Sequence, residues 1–218
     1  MTVLFRVALV LCLCALVGCV PPYSVGATPA TVPAREVSPS AMVQLTSGRR
    51  NLKQDSRANA SGKAGFILGN EARVGLDDRS DIGVRLLGLG GVTATYKRRL
   101  SGRVGTDEGA SVLVGAGVVG LSHFHLEGTI VTAYPTGGVV VPYGGIRVQD
   151  LIPFNQDAED SAPAIGLFGG GQFGWDDLGL SPELGVFYSP APDGRDSDIL
   201  FAPSITFRGD RLIRALGL

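Results

Sequence analysis

The chain has 218 residues, and 45 of them are Gly or Pro. That is about a fifth, against roughly an eighth in average proteins, and it excludes a protein built of long helices. Charged residues make up 18% with a net charge of -1, and the mean hydropathy is +0.24; this excludes a highly charged disordered chain, and no basic excess points to a nucleic-acid partner.

Residues 1–18 read as a secretory signal: one cation, Arg6, then the apolar run Val7 to Val17, then the small Gly18. The run is about half the roughly 20 residues that a membrane-spanning helix needs. Leu16-Val17-Gly18-Cys19 resembles the lipobox of bacterial lipoproteins, which implies cleavage before Cys19 and acylation of its thiol. The three cysteines, Cys12, Cys14 and Cys19, all lie here, so cleavage leaves one thiol, on the first mature residue, and no disulfide within the chain. An ordinary signal peptide with a chance cysteine is the alternative. Under the common Gram-negative sorting pattern, Val20 rather than Asp after the cysteine implies delivery to the outer membrane. Residues 19–40 then carry Pro21, Pro22, Pro29, Pro33 and Pro39 among Ser, Thr and Ala. They read as a Pro-rich tether with a reach of about 25 Å.

From residue 41 to 208 the apolar period is two, the signature of strands. A first strand is expected near Met42 to Thr46. In the next, Phe66, Leu68, Asn70, Ala72, Val74 and Leu76 share one face, and Ile67, Gly69, Glu71, Arg73 and Gly75 the other. Ile82, Val84 and Leu86 oppose Gly83 and Arg85. Val92, Ala94 and Tyr96 oppose Thr93, Thr95, Lys97 and Arg99. Leu126, Gly128, Ile130, Thr132 and Tyr134 oppose Glu127, Thr129, Val131 and Ala133. Similar strands follow over 165–173, 180–188 and 199–207, and the segments 111–121 and 139–148 are apolar on both faces. About ten strands (eight to ten) joined by turns suit an all-β fold, a closed antiparallel up-and-down barrel.

Three features point to the outer-membrane type, with the greasy face outward. Aromatics on that face, Phe66, Tyr134, Phe173, Tyr188, Phe201 and Phe207, fall near strand ends, as interfacial girdles require. The opposite face is rich in glycine and carries charges of both signs. The connections are short at the end that holds both termini, where the lipid tether is then also expected, and long at the other. The body resembles small outer-membrane β-barrel proteins of Gram-negative bacteria. It departs from them in a tail, 209–218, after the last strand. An Arg at Val74 or Leu184 is expected to be costly and an Arg at the inward Thr95 to be cheap.

Nine charged residues are expected inside: Glu71, Arg73, Arg85, Lys97, Arg99, Glu127, Arg147, Glu183 and Arg208. They read as a salt-bridged network carrying about +3, or, on a sharper reading, as an anion-selective pore. The two histidines lie in Ser122-His123-Phe124-His125-Leu126-Glu127. A turn of exposed histidines is the expected reading; the alternatives are a metal site or a hydrolytic site of Ser122, His123, His125 and Glu127. No cofactor is expected. The function that follows is a lipid-anchored, non-catalytic outer-membrane barrel of structural, surface-interaction or narrow-pore type. Its partners are outer-membrane lipid and envelope or extracellular proteins met through loops 49–64 and 150–163. A membrane-embedded lipid-modifying hydrolase and a soluble periplasmic barrel holding an apolar ligand are the competing functions.

Overall fold

In the computed structural model, residues 22–46, 65–87, 90–120, 122–134, 138–154, 162–175, 178–190 and 198–209 are described. Ten strands run β1 (Val37–Thr46), β2 (Gly65–Asp77), β3 (Ser80–Leu86), β4 (Gly91–Ser101), β5 (Gly109–Val119), β6 (His123–Ala133), β7 (Val140–Pro153), β8 (Ala164–Trp175), β9 (Leu178–Ser189) and β10 (Asp198–Arg208). Each pairs antiparallel with its sequence neighbours, and β1 closes on β10 through Ser40↔Arg208 to Gln44↔Ser204. Closure leaves no unpaired edge, so backbone groups are satisfied all round the wall.

The alternation read from the sequence sets the two faces. Val74, Ile82, Val84, Ile130, Leu167, Leu184, Val186 and Ile205 are exposed on the outside, whereas Gln44, Arg73, Asp81, Thr93, Lys97, His125, Glu127, Arg147 and Glu183 are buried inside. A water-soluble barrel would have the opposite arrangement, polar outside and apolar within. Phe66, Tyr188 and Phe201 lie toward one rim; Tyr134, Phe173 and Phe207 lie toward the other. At the second rim, the turn end, the connections between strands are two to seven residues long, and β1 begins and β10 finishes there. At the first, the loop end, they reach 18 residues between β1 and β2 and ten between β7 and β8.

The structure departs from expectation at the amino-terminal segment. Residues 22–36 do not form a solvated tether: Pro22 to Pro29 are continuously buried, and β1 already begins at Val37. The segment, here called the strap, runs down the lumen from the loop end to the turn end. Tyr23 packs in a cluster with Ile67, Leu87, Val119, Leu151, Ala164, Phe187 and Leu200, all within two residues of the loop-end limits of their strands or just past them. Its ring centroid is 4.7 Å from that of Phe187. Val25 and Ala27 descend into a second cluster with Val131, Ala133, Tyr143 and Phe168. Thr28 Oγ1 donates to Asp107 (2.5 Å) and Thr31 Oγ1 to the Asp78 carbonyl (3.1 Å), both in turn-end connections. At the turn end the chain reverses through Arg35 at φ 68° and enters β1. Gly75 allows this reversal, because a Cβ there would collide with the Pro33 carbonyl.

The amino-terminal side of the strap therefore lies at the loop end, not at the turn end with the carboxyl end of β10 as the sequence reading expects. Two smaller differences follow the same pairing. His123 to His125 belong to β6 rather than to a turn, and β7 continues to Pro153, so the connection expected over 150–163 begins at 154. The signal, Cys19, loop 49–64 and the tail beyond Gly209 lie outside the described residues.

The outward face generates a depth test. Leu184 is at the middle of β9, while Val74 is three residues from the turn-end limit of β2. Leu184→Arg is expected to cost about 2–4 kcal/mol in refolding titrations in lipid vesicles, and Val74→Arg measurably less, because the penalty falls toward the interfaces.

Candidate functional site: the lumen and its strap

The lumen satisfies a peptide backbone from the side. Five strap amides donate to wall side chains: Tyr23 and Ser24 to Gln44 Oε1 at 2.8 Å each, Val25 and Gly26 to the two oxygens of Glu183 at 2.8 Å each, and Val32 to Asp81 Oδ2 at 2.9 Å. The carbonyls are met by cations. Arg147 donates to Pro22 O (2.8 Å) and Ser24 O (3.2 Å), Lys97 Nζ to Ala30 O, and Arg208 to Gly26 O. Tyr143 OH donates to Glu183 (3.1 Å), and Ser204 Oγ is 2.7 Å from Ser24 Oγ. Gly26 has φ +55°, and a Cβ on it would collide with Thr206, so this bend in the strap is open to glycine alone.

Below and beside the strap the charges pair with one another. Arg73 bridges Glu71 (2.5 Å) and Asp81 (2.5 Å), with Thr95 Oγ1 accepting at 2.9 Å. Arg85 reaches Glu71 (3.3 Å) and Glu127 (4.0 Å). Arg147 is ion-paired with Glu127, and Lys97 lies 3.7 Å from Asp81. Glycines on the neighbouring strands make room for this cluster: a Cβ at Gly83 would press on Arg73 and Glu71, and one at Gly115 on Glu127. Buried charges are tolerable only when paired, and here each carboxylate has a cation or several donors around it.

Of the nine charges expected inside, eight lie in this assembly: Glu71, Arg73, Arg85, Lys97, Glu127, Arg147, Glu183 and Arg208. The ninth, Arg99, is buried but sits at the turn end. There it ties the β4–β5 connection by donating to the carbonyls of Ser101, Thr106 and Glu108. Sequence reading missed Asp81, Gln44 and Tyr143. Asp81 carries a signal, since alternation puts it on the face of Gly83 and Arg85, one residue before Ile82, where the sequence reading starts the strand. With it the inward charges among the described residues are six basic and four acidic, about +2 rather than +3; without Arg99 the assembly itself has five basic and four acidic side chains, and strap carbonyls accept from Lys97, Arg147 and Arg208. Thr95 is also corrected: it accepts a hydrogen bond from Arg73, so an Arg placed there meets a cation in a filled space and is not cheap.

The histidine segment is likewise corrected. His123 is 3% exposed and His125 0%, so neither is an exposed turn residue. Ser122 Oγ pairs with His123 Nδ1 at 2.9 Å, while Glu127 is held by Arg147 and lies 3.9 Å from His125 Nε2. The four residues of the hydrolase alternative thus divide into two separate pairs. Among the described residues no group of His, Cys, Asp and Glu has the arrangement of a metal site.

No family model matches this chain, and no curated protein matches it significantly. Among solved structures it is similar to Neisserial surface protein A at 13% identity, covering 79% of this chain and 96% of that one, with a TM-score of 0.40. It is also similar to an outer-membrane channel from Pseudomonas putida F1 at 10% identity, covering 87% and 99%, with a TM-score of 0.48. A third is the attachment invasion locus protein Ail of Yersinia pestis at 12% identity, covering 80% and 99%, with a TM-score of 0.32. The likeness is one of barrel architecture, which the strand pairing establishes independently.

Three variants, one single and two double, test the site. Glu183→Leu strands two strap amides and the Tyr143 hydroxyl, each worth about 1–3 kcal/mol when buried without a partner; the variant is expected to unfold at lower denaturant and to be cut by protease within residues 22–33. Ser24→Cys with Ser204→Cys is expected to form a disulfide on mild oxidation, seen as a mobility difference between reducing and non-reducing gels. His123→Ala with His125→Ala is expected to cost clearly more than the about 0.5 kcal/mol of a surface change, measured by the same titration.

Proposed function

We propose that the protein is a lipid-anchored outer-membrane barrel, closed by its own strap, that acts through non-catalytic contacts at its loop end. The carrying observation is the filled lumen: the strap and the charge assembly occupy the interior and bond to each other across it. The edgeless wall with an apolar outside and aromatic bands at both rims supports a membrane position. The short turns at one end and long connections at the other support an outer-membrane orientation with the loop end outside. The Leu16-Val17-Gly18-Cys19 sequence supports acylation of Cys19. Outer-membrane lipid is then the constant partner, and the regions 49–64 and 154–163 are the contact surfaces toward other envelope or extracellular proteins.

A narrow-pore reading has one specific observation behind it, the excess of basic over acidic side chains in the lumen, whose surplus donors bond to strap carbonyls. In planar bilayers the intact protein is expected to be nearly silent. A variant lacking residues 22–33, accepted only if it still migrates as a heat-modifiable folded species, is expected to conduct with anion preference. Equal, steady conductance by both forms would contradict closure by the strap. Metabolic palmitate labelling that is lost in Cys19→Ala is the expected result for the anchor, and retained labelling would contradict it.

A further inference from the structure

The direction of the strap decides where the amino terminus can be. Arg147 and Gln44 hold Pro22 to Ser24, and Tyr23 sits among loop-end residues, while Val32 and Pro33 lie at the turn end. Only Val20 and Pro21 separate Cys19 from Pro22, three residue steps with a reach of at most about 11 Å. A strand of 11 residues tilted by about 40° spans roughly 25–30 Å along a barrel axis. Cys19 therefore cannot return to the turn end, which is also barred by the strap itself.

We propose that the chain is threaded through its own barrel, so that the mature amino terminus emerges at the loop end and an acyl group on Cys19 enters the outer leaflet at the cell surface. This rests on the acylated, loop-end-out reading above; the threading itself rests only on the path of the strap. The amino terminus and the carboxyl end of β10 then lie on opposite sides of the membrane. In the wall, Gln44, Glu183, Arg147, Lys97, Arg208 and Asp81 become a peptide clamp that holds the link between anchor and barrel in extended form. The anchor and the barrel are in this way one unit, with the lipid beside the long connections rather than beside the turns. The lumen must also assemble around the strap, because a polypeptide carrying acyl chains would have to cross a charged interior to enter afterwards.

Cysteine accessibility in whole cells tests this, since cleavage leaves no thiol in the mature chain besides Cys19. Single variants Pro21→Cys, Asp157→Cys in the β7–β8 connection and Arg79→Cys in the β2–β3 turn are treated with a membrane-impermeant maleimide, before and after the outer membrane is permeabilised. Val20→Cys replaces Pro21→Cys if the latter does not reach the membrane. The expected result is labelling of Pro21→Cys and Asp157→Cys in intact cells, and of Arg79→Cys only after permeabilisation. An amino-terminal thiol that follows Arg79→Cys, or that stays silent in intact cells at both positions while Asp157→Cys is labelled, overturns the threading. The reading on which it rests fails differently. If Arg79→Cys labels in intact cells and the amino-terminal thiol follows Asp157→Cys, the orientation is wrong and the threading stands. If palmitate labelling is absent and the expected thiol pattern is obtained in a Cys19→Ser background, the acylation is wrong and the threading stands.

Discussion

The buried amides and carbonyls of residues 22–32 are the constraint on which the rest of this molecule depends. A peptide backbone cannot lie inside a protein wall without partners, and an isolated extended segment has none of its own. The barrel supplies them one by one from side chains that alternation turns inward. Glu183 takes two amides with its two oxygens, Gln44 takes two with one, and Arg147 takes two carbonyls with its two terminal nitrogens. Those to Glu183 and from Arg147 are charge-assisted, and all lie in a site shielded from water, where a bond is stronger and an unmet group is more costly. The composition of the lumen follows. It needs acids and an amide for the N–H groups, bases for the carbonyls, and small residues where the side chains must fit.

The same pairing explains why two apparently different readings of the interior, a rigid plug and a charged pore, meet in one structure. Without the strap, five basic side chains (Arg73, Arg85, Lys97, Arg147 and Arg208) face four acidic ones across a wall of ten strands. With it, the surplus donors find carbonyls, and the interior becomes a bonded solid. Stability and closure are thus the same set of bonds. Glu71, Arg73, Asp81 and Arg85 stiffen β2, β3 and their neighbours, while Gln44, Arg208 and Glu183, the last with Tyr143 behind it, join the strap to β1, β10 and β9.

The wall was largely legible in the sequence, because a period of two leaves little freedom once each strand's greasy face is found. Leu126 and Ile130 against Glu127 and Thr129, or Leu184 and Val186 against Glu183 and Phe187, state both the strand and its orientation. The ends of strands were less legible, since His123 and Asp81 are polar residues next to turns, and burial in a polar lumen looks the same in sequence as exposure to water. The strap was misread for a related reason. Five prolines and many small polar residues describe a solvated linker equally well, because a segment held by side chains from elsewhere needs no ladder partner and no propensity of its own. A signal was present in Tyr23, Val25 and Ala27 alternating with Ser24, Gly26 and Thr28, an ordered pattern that a tether has no use for. The partners it meets are 20 to 182 residues away in the chain, and no local pattern encodes them.

Amide hydrogen exchange on the folded protein in bicelles measures this pairing most directly. If the strap is held as described, the amides of Tyr23, Ser24, Val25 and Gly26 exchange as slowly as those in the middle of β6 and β7, and the amides of Val25 and Gly26 become fast in Glu183→Leu. Exchange of these four amides at the rate of an unstructured peptide, in a barrel whose strands remain protected, would contradict the strap's place in the lumen.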